Sequence, residues 1–409
     1  LRYTVQSGVL PQGSYEVTAT RNTPENNKSN YVNTTVWTGL KGIIAHPKGS
    51  KVYGDVTLLA LRMKATNGLA SASRQRIRVR AKRILDSGES DNPITVIKDI
   101  WSNSIYGMDR SLDEITEETN QLEYQWADSP KFNGSFDQRG TGYDNMQRVA
   151  SMTGSRVVQD GQNLHVSPDK IQSARRALFS SANIVANTLK INYTFDHEGE
   201  TDGMEVEYRD PLTFDVAYAK WPYASTNPER YVLFGCTDAA YALKYAAYLW
   251  NVRVYRRKVT TFTTDLEGLL PRFGDRIGVS SVMPDWGQSG VFVRNIDANT
   301  WMVDQALNWT GSEDYILLRD EKGVPTEPIL VTQGDHPQHV VFSGPIPIDP
   351  SDGYAREPTS YAFGKQYTMV RDFIVSRLSP KGDNAVEVEG HVYDKRIYLN
   401  APEHMSLPY

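Results

Sequence analysis

The chain has 409 residues, which at about 100–200 residues per domain predicts two to four domains. With 39% hydrophobic and 23% charged residues it does not have a disordered composition, and no apolar run approaches the ~20 residues of a membrane-spanning helix. A net charge of −5 argues against a general nucleic-acid binder, and the single cysteine, Cys236, excludes an internal disulfide or a multi-cysteine metal cluster. No secretory signal is visible, and Leu1 followed by a strand-like pattern indicates a piece of a longer chain.

Residues 1–85 are predicted to form a β-rich segment. Tyr15, Val17 and Ala19 alternate with polar residues, which is the periodicity of a strand, and residues 56–63 form a second, apolar strand. Residues 74–82 are the most regular part of the segment, because one face is basic and Ile77 and Val79 lie on the other. The basic face consists of Arg74, Arg76, Arg78, Arg80 and Lys82.

Like charges at this spacing repel one another, so we predict that an acidic surface lies opposite the basic face. That surface could belong to another subunit, to the acidic turn at residues 113–118 or to nucleic acid, and the acidic composition of the chain favours a protein. The alternative is a solvated sheet edge whose charges deter aggregation.

Residues 86–184 are predicted to form a smaller α+β domain with three helices. The helices are expected near residues 93–105, 111–126 and 142–153. Their expected caps are Asn92 before Pro93, Ser111 with Glu114, and Thr141 with Asp144. Asp160-Gly161, between two short apolar runs, predicts a β-hairpin.

Residues 185–409 are predicted to be mostly strands. One helix is expected over residues 237–251, capped by Thr237, with an inner stripe of Ala240, Leu243, Ala247 and Trp250. Turns are expected at residues 269–275, 297–299 and 321–323, and an exposed loop at residues 343–356. The predicted fold is therefore multi-domain and mainly β with some α: a β-rich segment (1–85), a smaller α+β domain (86–184) and a mainly β domain with one helix (185–409).

Several residues are of types that can carry chemistry. Cys236 before a helix could be a nucleophile, but a lone cysteine without an evident His partner is more often a small buried hydrophobe. His336 and His339 could bind a metal, but no third ligand is close to them in sequence. Trp286 and Trp309 could be sugar-binding platforms, but tryptophans in β-proteins are more often core residues. A glycosidase carboxylate pair stays open, because it is defined by a distance that sequence does not give.

Several segments, in the same order along the chain, resemble a known family of phage proteins. The segments are NP at residues 92–93 with SIYG at 104–107, FNGSF at 132–136, QDGQNLHV at 159–166, VEYRDP at 206–211, GCTD at 235–238, LEGL at 266–269 with FGDRI at 273–277, and VEVEGHVYDKRIY at 386–398. Together they resemble the central tail-tip proteins of long-tailed phages, the family of the lambda host-specificity protein J.

The resemblance implies a trimeric, β-rich structural hub of the virion, made in the host cytoplasm and placed at the tail tip. It further implies that residues 1–85 are a hub segment incomplete at its N-terminus and that residues 185–409 form a β-barrel, tube-type domain. Its expected partners are two further copies, other tail-tip and tail-tube proteins, DNA in transit, and a host receptor contacted through C-terminal parts absent from this piece. It implies no catalytic residue, metal or cofactor. Two other classes stay open: a cell-wall or capsule glycan hydrolase, and a glycan-binding adhesin.

Passage of DNA adds an expectation about charge. Each contact with a phosphate adds salt-dependent affinity, so the wall of an exit channel should be acidic or neutral. We therefore expect the basic face of residues 74–82 to point away from the channel.

Overall fold

The computed structural model describes residues 81–85, 90–195, 201–213, 215–281, 286–382 and 384–406, together with the single positions 18, 20, 22 and 79. The chain divides into two compact units, Leu1–Val79 and Arg80–Tyr409, and almost all described residues belong to the second. Among the helices in these ranges, none combines the length and apolar character needed to cross a membrane.

The predicted mainly β fold with some helix is confirmed in this part of the chain. The helices are α1 (Pro93–Ser102), α2 (Glu117–Gln125), α3 (Gly142–Met152), α4 (Ala239–Tyr255) and α5 (Glu403–Ser406), with 3-10 turns at Leu112–Glu114, Leu266–Leu269 and Lys395–Tyr398. The strands are β1 (Ser155–Asp160), β2 (Asn163–Pro168), β3 (Ala177–Phe179), β4 (Lys190–Tyr193), β5 (Gly203–Arg209), β6 (Val216–Trp221), β7 (Pro228–Val232), β8 (Lys258–Thr264), β9 (Arg276–Val279), β10 (Gln288–Asn295), β11 (Thr300–Val303), β12 (Asp314–Leu318), β13 (Ile329–Gln333), β14 (His339–Phe342), β15 (Ser360–Gly364), β16 (Arg371–Lys381) and β17 (Ala385–Val392).

Two of the three predicted caps in the α+β segment are confirmed. The side chain of Asn92 accepts a hydrogen bond from the backbone N–H of Ile94, with Pro93 in the first turn of α1. The hydroxyl of Thr141 accepts from the N–H of Asp144 at the start of α3. The Asp160-Gly161 hairpin is confirmed as well, because β1 and β2 pair antiparallel across it.

The single helix predicted over residues 111–126 is wrong, since the segment breaks at Ile115. This residue is extended and buried and bridges to Leu164 of β2, while the N–H of Thr116 donates to the Leu164 carbonyl at 3.0 Å. Ser111 caps only the 3-10 turn, by accepting from the N–H of Asp113. Pairing with a distant strand therefore outweighs the local helical preference.

The helix at residues 237–251 is confirmed as α4, but its predicted cap and buried face need correction. Asp238, not Thr237, caps the helix. Ala240 and Leu243 of the predicted stripe are exposed, and Trp250 is partly exposed. The buried face consists of Tyr241, Ala242, Tyr245, Ala246, Ala247 and Tyr248. Tyrosine can be buried here because its hydroxyls find acceptors: those of Tyr241 and Tyr245 donate to the carbonyls of Met152 and Ser151 at 2.9 and 2.7 Å.

The strands form one hairpin, two open sheets and a closed barrel. The larger open sheet has the order β3-β9-β16-β17-β8-β4, in which only β3 and β9 are parallel neighbours. The smaller sheet has the order β6-β5-β7. The barrel closes through six strands in the order β10-β11-β14-β13-β12-β15, and its interior is filled by Phe292, Ile316, Val331, Phe342 and other apolar side chains.

The barrel is an insertion into the larger sheet. Strands β9 and β16 pair with each other, and the whole barrel lies between them in sequence. Leu178, Leu317, Ala362 and Met369 form a small buried cluster where barrel and sheet meet. The barrel is also held by Arg319, whose guanidinium lies 2.8 Å from the carboxylate of Glu267.

The largest core joins the helices to the smaller sheet. It contains Trp101 of α1, Met146 of α3, Val206 of β5, Tyr245 of α4 and Met405 of α5. Residues from both sides of the predicted boundary between residues 184 and 185 thus share one core, and the C-terminal segment packs into it. The three-part division of the chain stays a prediction.

A largely buried ion pair ties this core together. Arg256, just after α4, donates to both carboxylate oxygens of Asp169 at 2.6 and 3.1 Å. The hydroxyls of Tyr248 and Tyr398 donate to the same carboxylate at 2.5 and 2.6 Å. Burial alone would raise the pKa of the Asp169 carboxyl, but the ion pair and these hydrogen bonds outweigh it and hold that pKa below its ordinary value.

Candidate interaction surface

The predicted basic face lies mostly outside the described residues. Arg74, Arg76, Arg78 and Arg80 fall there, and only Lys82 is described; it is exposed, in a stretch without regular secondary structure. Its neighbour Arg83 contacts the ring of Tyr106, with the guanidinium carbon 4.5 Å from the ring centroid. Partner binding by these five residues therefore stays a prediction.

Two motifs that are about 100 residues apart in the sequence meet in space. The FNGSF loop at residues 132–136 lies against the GCTD turn before α4. The N–H of Asn133 donates to the Gly235 carbonyl at 2.7 Å, and its side-chain amide donates to the hydroxyl of Thr237 at 3.0 Å. A Cβ atom at Gly235, whose φ is +82°, would overlap the Phe132 ring. These motif residues therefore act in packing and show no open chemical site.

This close contact gives a first prediction. We expect Gly235→Ala to lower the free energy of unfolding by about 3 kcal/mol, since a positive φ costs an alanine about 1–2 kcal/mol and the overlap with Phe132 adds to it. Gly161→Ala is the matched control, because Gly161 also has a positive φ of +61° but has no atom within 4 Å of its would-be Cβ. Urea unfolding measures both variants, and equal losses would show that the contact between the motifs contributes nothing.

Cys236 is a buried hydrophobe, as the more conservative interpretation predicted. It is 2% exposed, and its thiol lies 3.4 Å from the Asp238 carbonyl oxygen. Burial raises the pKa of the thiol to about 11, so very little thiolate exists near neutral pH. The structure gives this cysteine no support as a nucleophile.

The other candidate residues are parts of the barrel and its surroundings. The rings of His336 and His339 lie 5.7 Å apart, and in the described ranges no three His, Cys, Asp or Glu side chains cluster as metal ligands would. Trp286 packs on Phe373 with ring centroids 6.0 Å apart. Trp309 meets Phe363 edge-on at 4.8 Å and donates its N–H to the Pro337 carbonyl. Both tryptophans are therefore packing residues, as their more conservative interpretation predicted.

Charge is distributed unevenly between the barrel and the other residues. Residues 288–364 contain eleven Asp and Glu but four Lys and Arg, a net charge of −7, whereas the whole chain carries −5. The remaining residues together are therefore slightly basic, at +2. The barrel residues therefore carry the acidic excess of the chain.

One side of the barrel carries an open groove of about 620 Å³, here called the barrel groove. It lies between the connection from β12 to β13 and the loop that follows β14. Its apolar surface includes Ile329, Leu330 and Ile348, and Leu330 is 42% exposed. Asp320 and Glu327 also line it, and its lining contains no Lys, Arg or His. Ile348 comes from the loop predicted at residues 343–356, which has no regular structure and is largely exposed, as expected.

Comparison with known proteins found no matching family model and no matching curated protein. Among solved structures, the chain is similar to a tail protein from Neisseria meningitidis MC58, with 14% identity and a TM-score of 0.31, over 67% of this chain and 62% of that one. It is also similar to the 43 kDa tail protein of prophage MuSo2 from Shewanella oneidensis, with 10% identity and a TM-score of 0.31, over 74% and 66% of the two chains. The match thus spans slightly under two thirds of each of these chains, and a likeness this distant carries no argument about fold or function.

Proposed function

We propose that the chain is a structural protein of a phage tail: a hub at the tail tip that joins the tail tube to receptor-binding parts and surrounds the DNA exit path. Three copies would form the ring, together with other tail-tip and tail-tube proteins. The ordered sequence motifs that resemble tail-tip hub proteins are the starting point of this proposal.

The position of those motifs in the fold is the observation that carries the proposal. FNGSF packs on GCTD, and the N–H of Arg209, from VEYRDP, donates to the Cys236 carbonyl at 3.1 Å. The FGDRI turn is fixed to β16, where the N–H of Gly274 donates to the carbonyl of Val375 at 2.8 Å. Residues that carry the resemblance therefore connect one element to another, which is the role expected of framework residues in a structural subunit.

The charge of the chain supports passage of DNA without adhesion. Both the chain and its barrel are net negative, so phosphate groups gain little from contact with them. A general DNA-binding surface would show a basic stripe facing the DNA, whereas the basic face of residues 74–82 is expected to point away from the exit path.

Gold-labelled antibody against the chain tests this proposal on purified phage particles. We expect label at one end of the tail, and loss of infectious particles when the coding sequence is deleted. Absence of the chain from purified virions would contradict a structural role. Hydrolysis of peptidoglycan or capsule by the purified chain in a zymogram would likewise contradict a purely structural one.

A further inference from the structure

The barrel groove is rich in hydrogen-bond acceptors. Pro325, Pro328, Pro345 and Pro347 line it, and proline has no backbone N–H, so at these positions the chain offers only carbonyl oxygens. A peptide that added a strand here would find few donors to pair with. The groove thus fits side chains that donate hydrogen bonds and do not need to accept them.

The two acidic lining residues, Asp320 and Glu327, are here called the rim of the groove, and they favour a cationic hydrogen-bond donor. The carboxylate of Asp320 is fixed in place by accepting from the N–H groups of Lys322 and Val324. Glu327 is exposed and makes no hydrogen bond or ion pair with any residue in the described ranges. Arg and Lys are donor-only cations, so they match carboxylates and backbone carbonyls together.

The apolar lining residues Ile329, Leu330 and Ile348 are here called the floor of the groove, and they place a second requirement on the ligand. Ile329 and Ile348 pack partly on the barrel core, and Leu330 presents its side chain toward solvent. A purely basic ligand would leave this apolar surface exposed to water, whereas aliphatic side chains would bury it. The groove therefore fits an extended segment in which basic and aliphatic residues alternate, so that one face meets the floor and the other reaches the rim.

This chain contains such a segment. In residues 74–82 the aliphatic residues Ile77 and Val79 alternate with arginine, and side chains two apart on an extended chain lie about 7 Å apart on one face. We propose that the barrel groove binds residues 74–82 of a neighbouring copy, with Ile77 and Val79 over the floor and the arginines toward Asp320 and Glu327. The proposal rests on the proposed function to the extent that a tail hub is assembled from several copies.

Segment and groove are different surfaces, so the contact is head-to-tail. Such a contact closes into a ring when its rotation permits, and each copy then gives one segment and accepts another. The charge difference between the barrel and the remaining residues would favour encounter of copies in this orientation.

Sedimentation velocity of the full chain, the groove variant and the segment variant tests the proposal. The groove variant carries Glu327→Arg and Leu330→Asp, and the segment variant carries Ile77→Asp and Val79→Asp. We expect the unmodified chain to associate and each variant alone to associate about 100-fold more weakly, because each loses charge or apolar complementarity. Mixed in equal amounts, the variants retain one intact groove and one intact segment, so the mixture should form heterodimers and nothing larger.

Asp335→Arg is the matched control, since Asp335 is an exposed acid of the same barrel at the other end of the β13–β14 hairpin, and it should leave association unchanged. A monomeric unmodified chain, a groove variant that associates normally, or a mixture that stays monomeric would each overturn the proposal. If the unmodified chain and the groove variant both form rings, the proposed binding by the groove is refuted, but the proposed hub function is not. Absence of the chain from virions would refute the proposed hub function and would not affect the conclusion about association through the groove.

Discussion

Replacing Asp169 with Asn is expected to lower the free energy of unfolding by about 3 kcal/mol. The substitution keeps the shape of the side chain but leaves the Arg256 guanidinium without a counter-charge, and removing one partner of a buried ion pair typically costs 3–5 kcal/mol. The lower figure applies because about 15% of each side chain is still exposed. Urea unfolding followed by tryptophan fluorescence measures the loss.

A double-mutant cycle separates the ion pair from other effects of the substitution. Arg256→Met removes the cation. In the Asp169→Asn chain it should therefore lower the free energy of unfolding by about 1–2 kcal/mol less than it does in the unmodified chain. Glu403→Gln is the control, because Glu403 pairs with Lys244 at the exposed surface and should have no measurable effect. Strictly additive losses at Asp169 and Arg256 would mean that the pair does not hold this core together.

Local signals in the sequence predicted much of the secondary structure. Asn92 with Pro93, Thr141 and the Asp160-Gly161 pair act within four residues of themselves, so their chemistry can be identified without knowing the fold. The break at Ile115 could not be found in this way, because it depends on Leu164, a residue of a distant strand. The exposed Leu243 and the buried Tyr245 show the same limit, since hydrophobicity ranks them in the opposite order to their burial.

The barrel groove was beyond sequence reasoning for a related reason. Its lining comes from two segments that become neighbours only when β13 and β14 pair and the barrel closes. Residues 343–356 were correctly predicted as a loop, yet the packing of Ile346 and Ile348 against the barrel core was missed. The alternation of Pro345 and Pro347 with these two isoleucines was the available signal. Proline-rich composition by itself predicts only exposure.

The stability of the chain is expected to fall as the pH is lowered from about 6.5 to 4, and His404 should account for a large share. Its ring stacks on Tyr241 with centroids 6.0 Å apart, meets Trp126 edge-on at 5.1 Å, and its Nε2–H donates to the Thr153 carbonyl at 2.9 Å. Burial, aided by the nearby charge of Lys170 and only partly opposed by the bond to Thr153, lowers the pKa of His404 to about 4.

The direction of the effect follows from proton uptake. Below about pH 6.5 the unfolded chain binds a proton at His404, while the folded chain stays neutral there until about pH 4, so each step down in pH favours unfolding. A difference of this size between the two pKa values corresponds to at most about 3 kcal/mol over the window. Burial also lowers the pKa values of His165 and His391, which add to the same slope.

His404→Phe keeps an aromatic ring between Tyr241 and Trp126 but cannot be protonated, so the fall in stability between pH 6.5 and 4.5 should become shallower. Part of the slope should remain, because His165 and His391 still titrate. His336→Gln is the control for the loss of a histidine at an exposed site outside this core. Urea unfolding at half-unit pH steps measures all three chains above the range in which Asp169 begins to lose its charge. If the His404→Phe chain loses stability as steeply as the unmodified chain, His404 is not buried as a neutral group.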